Sequence, residues 1–157
     1  GEDNVDSVHL VDLVTRIMSR HSFDQVDFVQ TIPMLKDSSD LDDSVTIDRR
    51  RVERILLNLL ENARDHGGGA TRVALSCVDD YFVLSVEDSG QGIALSERSR
   101  IFERFARGTA ARLSTGSGLG LAIVQEHARS LGGNAHVENS STGGAKFVVT
   151  IKRTVPT

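Results

Sequence analysis

Apolar residues recur along this chain at two different spacings, and the spacing alone divides it into elements. Leu10, Leu13, Val14, Ile17 and Met18 follow the period of a helix with one buried face. A longer stripe of Val52, Ile55, Leu56, Leu59, Leu60 and Ala63 predicts a second such helix. Asp48 can cap its start, and Gly67-Gly68-Gly69 ends it near His66. Strict alternation over 73–78 and 81–87 predicts a hairpin turning at Asp79-Asp80. Shorter runs predict a strand or its approach at 5–10, a strand from Val26 to Ile32 stopped by Pro33, and a short strand at 45–47. Further helices are expected over 96–105 and from about 118 to 131, followed by strands near 134–138 and 146–152. Residues 106–117 are mostly Gly, Thr, Ser, Ala and Arg, with little to bury. No repeat or linker divides the chain, so residues 1–157 are expected to form one domain with helices layered on one mixed sheet.

Composition narrows the classes. A hydrophobic share of 39% and a charged share of 25% are ordinary for a globular domain. A formal charge of -4 gives no reason to expect a nucleic-acid groove. Cys77 is the only cysteine, which excludes an internal disulfide and a thiolate-rich zinc site. No apolar run approaches the roughly 20 residues that span a bilayer, and no basic-then-apolar leader opens the chain, so a cytoplasmic domain is expected.

Three features carry candidate chemistry. Asn58 and Asn62 lie four apart on the long helix, so their amides share a face beside the apolar stripe. An Asn carbonyl suits magnesium, which takes hard oxygen ligands alongside substrate phosphates. The same pair could instead cap or hydrogen-bond a neighbouring loop. Next, Asp88-Ser89-Gly90-Gln91-Gly92-Ile93 puts a carboxylate at a strand end before a glycine turn. Glycines admit a flat ligand, and the carboxylate can accept a hydrogen bond from an exocyclic amine such as adenine's. A plain strand-exit turn would look similar. Finally, Gly116-Ser117-Gly118-Leu119-Gly120-Leu121 leads into a helix, whose free amides favour phosphate oxygens. Its spacing matches neither the dinucleotide fingerprint nor the Walker pattern, and a hinge or cap is the competing explanation.

Taken in order, these segments resemble the ATP-binding catalytic domain of sensor histidine kinases, within the superfamily that includes the gyrase ATPase subunit, a heat-shock chaperone and mismatch-repair ATPases. Leu57-Asn58-Leu59-Leu60-Glu61-Asn62-Ala63 resembles the N box, and Asp88 to Gly92 the first glycine box. Ile101-Phe102-Glu103-Arg104-Phe105 with Arg107 resembles the F box, and 116–121 the second glycine box. Gly143-Gly144-Ala145-Lys146-Phe147 resembles a terminal glycine turn. The resemblance implies a Bergerat fold: an α/β two-layer sandwich with a mixed, mainly antiparallel sheet, helices on one face and a flexible ATP lid at about 106–117. It implies ATP and Mg²⁺ as ligands, with Asn62 on the metal, Asn58 assisting the metal or its water, and Asp88 on the adenine amine. Gly90 and Gly92 would line the base, the backbone at Gly118 and Gly120 would hold phosphates, and Ile93, His66, Phe105, Gly116, Leu119 and Leu121 would also bind the nucleotide. Arg107 and Arg104 would stabilise charge on the transferring phosphoryl group, although both also suit a solvated surface helix.

Two positions depart from the family pattern. Asp65 stands where relatives often carry Lys or Arg three residues after the metal Asn, and Ala145 where many non-kinase relatives have Thr. Asn58 stands where the superfamily's hydrolases place a general-base Glu, and an amide cannot take a proton at neutral pH. That favours phosphoryl transfer to a protein over hydrolysis. It also disfavours a serine-kinase anti-sigma factor, the enzymatic rival; a nucleotide-binding regulatory module without turnover is the alternative that Asp65 supports. His9, His21, His66, His127 and His136 are none of them followed by an acidic residue, as the kinase acceptor motif requires. The expected acceptor is therefore a histidine on a separate dimerisation domain of a homodimeric parent, in the bacterial inner membrane, that signals to a response regulator. The domain by itself is expected to be monomeric.

Overall fold

The structure is a computed structural model that describes residues 4–103 and 120–153. In chain order the elements are β1 (Asp6–His9), α1 (Leu10–Arg20), β2 (Asp27–Gln30), β3 (Ser44–Ile47), α2 (Arg49–His66), β4 (Ala70–Val78), β5 (Tyr81–Asp88), two short 3₁₀ turns (Leu95–Glu97 and Arg100–Phe102), α3 (Gly120–Ser130), β6 (Ala135–Asn139) and β7 (Ala145–Lys152).

Five strands form one sheet in the order β2-β4-β5-β7-β6. β2 runs parallel to β4, and the remaining neighbours are antiparallel. Strand alternation aligns inward side chains in rows across the sheet. Phe28, Val73, Val86, Phe147 and Val137 make one such row through all five strands. Leu75, Leu84, Val149 and Ala135 make the next. The helices cover this face. The whole stripe of α2, from Val52 to Ala63, is buried, as are Leu10, Val14, Ile17 and Met18 of α1 and Leu121, Val124 and Ala128 of α3. The result is a two-layer α/β sandwich with a mixed, mainly antiparallel sheet, as expected. Among the described residues no helix is long and apolar enough to cross a membrane.

The structure differs from the expectation in three places. The expected single sheet is joined by a second one, β1 paired antiparallel with β3, which clamps the two ends of the α1–β2 excursion. The helix expected over 96–105 is replaced by the two 3₁₀ turns, after which Glu103 is extended (φ -79, ψ 143). Among the described residues of this stretch only the adjacent Ile101 and Phe102 are buried, and Leu95 just before it is 77% exposed, so these residues form no helical stripe. Phe102 instead anchors the turn edge-on to Phe147 of the sheet, with ring centroids 6.1 Å apart. The strand expected from Val26 to Ile32 is shorter. Of the expected final helix, residues 118 and 119 lie outside the described residues, as does the whole segment 106–117 expected as the lid.

Candidate nucleotide site

α2 supplies one wall. Asp48 caps it, its side chain accepting from the Arg50 amide at 3.0 Å. Hydrogen bonding and charge from Arg50 hold the Asp48 carboxyl below the usual carboxylate range, against the opposing effect of burial. With the apolar stripe locked against the sheet, Asn58 and Asn62 emerge half-buried on its flank. The Nδ2 of Asn58 donates to the Arg54 carbonyl at 2.7 Å, one turn back on the same helix. That bond engages one N–H of the amide, and Oδ1 faces the start of α3. A β-carbon built on Gly120, the first residue of α3, would lie 3.3 Å from this Oδ1. The asparagine carbonyl is thus met by a residue with no side chain to cover it.

Asp88 supplies the opposite feature. It ends β5 at 1% exposure, and its Oδ1 accepts from the Gly90 and Ala145 amides, each at 3.0 Å. Two backbone donors on one oxygen hold the carboxylate in a single orientation. Glycines surround it. A β-carbon on Gly144 would stand 2.8 Å from Asp88 Oδ1, and one on Gly67 would stand 2.8 Å from Asp88 Cβ and closer still to its carboxylate. Gly92 has φ +76, which only glycine takes without strain, and packs against Asn139 and the Gly143 carbonyl. The end of α2, the Asp88–Gly92 turn and the β6–β7 turn therefore converge on one carboxylate.

The other predicted residues divide into two groups. His66 is half-buried as the last residue of α2, next to Gly67. Ile93 and Leu121 are 5% and 4% exposed, and both side chains belong to the hydrophobic core. Arg104, Phe105, Arg107, Gly116, Gly118 and Leu119 lie outside the described residues. Asp65 is exposed and pairs with Arg64 Nε at 3.1 Å on the same helix. A separate cavity of about 770 Å³ lies between the second 3₁₀ turn and α3, bordered by Phe102, Gln125 and Arg129. It includes neither asparagine nor Asp88 among its described lining. Among the described residues no group of three or more His, Cys, Asp and Glu could hold a metal ion.

The chain reading missed part of this site. Gly67 read only as a helix stop, and the Ala145 amide lies 57 positions from the carboxylate it holds. The second was signalled only indirectly, by the glycine turn at Gly143-Gly144.

Comparison with known proteins identifies the family. Residues 47–155 match the family described as histidine kinase-, DNA gyrase B-, and HSP90-like ATPase. The chain is 42% identical over 104 residues to the signal transduction histidine-protein kinase AfsQ2 of Streptomyces coelicolor, a match covering 66% of this chain and 19% of that protein. The chain thus spans about a fifth of the length of that relative. The solved ATP-binding domain of PrrB from Mycobacterium tuberculosis superposes with a TM-score of 0.68 at 27% identity, covering 98% of this chain and all of that one (100%). Full-length ShkA, solved in complex with AMPPNP, gives a TM-score of 0.73 at 28% identity over 100% of this chain and 33% of its own.

Proposed function

The chain belongs to the histidine kinase-, DNA gyrase B- and HSP90-like ATPase family, as an ATP-binding domain of the sensor histidine kinase type, and on that premise we propose that it holds Mg-ATP between Asn62 and Asp88 and supplies the γ-phosphate to a histidine on a separate dimerisation domain. The observation that carries this reading is Asp88: a carboxylate 1% exposed, held in one orientation by two backbone amides at the mouth of a glycine-lined turn. A group so placed can accept from the adenine amine without reorganising, which is how a buried acceptor gains specificity. The AMPPNP complex of ShkA supports an adenine nucleotide as the ligand.

The residues also fit magnesium. Asn58 presents a carbonyl oxygen whose own nitrogen is engaged elsewhere, and Asn62 follows one turn later on the same flank. When bound, the ion would neutralise triphosphate charge. Asn58 and Asn62 would hold that ion by their carbonyl oxygens, and Asp88 would hold the purine. No carboxylate stands at position 58 to activate water, so the site retains the γ-phosphate for a protein acceptor. The parent would be a homodimeric sensor kinase of the bacterial inner membrane that passes its phosphoryl group to a response regulator.

ATP titration with and without Mg²⁺, on wild type, Asn62→Ala and Asp88→Asn, tests the assignment. Asn62→Ala should lose the Mg²⁺ dependence of binding, and Asp88→Asn the preference for adenine. Two variants that bind like wild type would remove the site.

A further inference from the structure

Three consecutive glycines follow α2, and they are not alike. Gly68 and Gly69 have φ +74 and +103, so the turn itself demands glycine there. Gly67 has φ -113 and ψ 13, a conformation open to any residue. Its backbone gives no reason for glycine, yet a β-carbon there would fall within contact distance of Asp88 Oδ2 and Cγ, and 2.8 Å from Asp88 Cβ.

Neither partner has room to give. Asp88 is held by its two hydrogen bonds to Gly90 and Ala145. Gly67 is held by its own amide bond to the Ala63 carbonyl at 2.9 Å. It is also backed by Gly90, where a β-carbon would stand only 2.9 Å from Gly67 Cα. Any side chain at 67 must therefore turn the Asp88 carboxylate away from its amides.

We propose that Gly67 is a positioning residue for base recognition: it sets the orientation of Asp88, and through it the preference for a purine bearing an exocyclic amine. This rests on the reading of Asp88 given above. Inosine triphosphate carries a carbonyl in place of the adenine amine, so it reports that one contact. In wild type, ATP should bind more tightly than inosine triphosphate. Gly67→Ala should lower ATP affinity by about tenfold or more, the scale of a hydrogen bond to a charged group. Its affinity for inosine triphosphate should change little, so the ratio of the two collapses.

Equal binding of both nucleotides by wild type would overturn the Asp88 reading, and Gly67's role with it. A Gly67→Ala chain that keeps the ratio, beside an Asp88→Asn chain that loses it, would overturn the role of Gly67 alone. Should Gly67→Ala fail to fold, thermal unfolding in an Asp88→Gly background decides. Removing the carboxylate should restore folding to the Gly67→Ala chain, whereas an equal loss in both backgrounds would mean that residue 67 serves only the helix end.

Discussion

Asp43 caps a helix from which it is far removed in the chain. Its Oδ2 accepts from the Val11 amide at 2.8 Å, its backbone oxygen from the Leu10 amide at 3.1 Å, and it is 3% exposed. His9, at the position before α1, makes no capping bond of its own. A buried carboxylate serving free helix amides is worth about as much as a local N-cap, so Asp43→Ala should cost about 1–2 kcal/mol. The measurement is a lower denaturant midpoint at unchanged slope. Asp43→Asn keeps an acceptor oxygen and should lose less; equal losses would argue for charge rather than capping. Asp88 uses the same chemistry for another purpose. There the two amides on Oδ1 hold a group for a ligand rather than finish a helix.

Between elements, the packing of α2 on α3 places Asn58 opposite Gly120 at the start of α3. A polar contact across it joins Arg51 Nη1 to His127 Nδ1 at 2.9 Å. The guanidinium can only donate, so that ring nitrogen accepts and the imidazole is neutral. Desolvation first, then the charge of Arg51, hold His127 below its usual 6.5, with Glu126 on α3 opposing, Arg54 adding a smaller downward push and Asp48 a smaller upward one. The folded state therefore binds fewer protons than the unfolded chain below that value. The contribution to stability is complete above about 6.5 and is lost as pH falls through the lowered folded value. Thermal midpoints measured between neutral and mildly acid pH should fall for wild type and fall less for His127→Gln, which keeps an acceptor for Arg51. Parallel curves for the two would show that the contact does not couple to pH. The two 3₁₀ turns make a related point: among the described residues there, Ile101 and Phe102 are the buried ones, and Phe102 is anchored on Phe147 of the sheet.

At the scale of the whole molecule, the sandwich brings together residues that the chain keeps apart. Asp88 touches Gly67 behind it and Ala145 far ahead because β5 lies at the centre of the sheet, between β4 and β7. None of the five histidines carries the acidic neighbour of a kinase acceptor. The chain should therefore bind labelled ATP yet incorporate little or no label into itself, and strong self-labelling would place the acceptor within it.

Much of this was legible in the amino-acid pattern. The apolar stripe of α2, its Asp48 cap and glycine stop, and the hairpin at Asp79-Asp80 all depend on neighbours within a few residues, and local spacing encodes such contacts directly. The order of Asn58, Asn62, Asp88 and the glycine turns carried the family for the same reason. Cross-strand register, the β1–β3 clamp, the distant cap from Asp43 and the clearance that Gly67 gives Asp88 were decided only by the fold. Each is a contact between segments whose meeting depends on every element between them. A glycine that ends a helix and one that makes room for a carboxylate are the same letter until the sheet brings the carboxylate there.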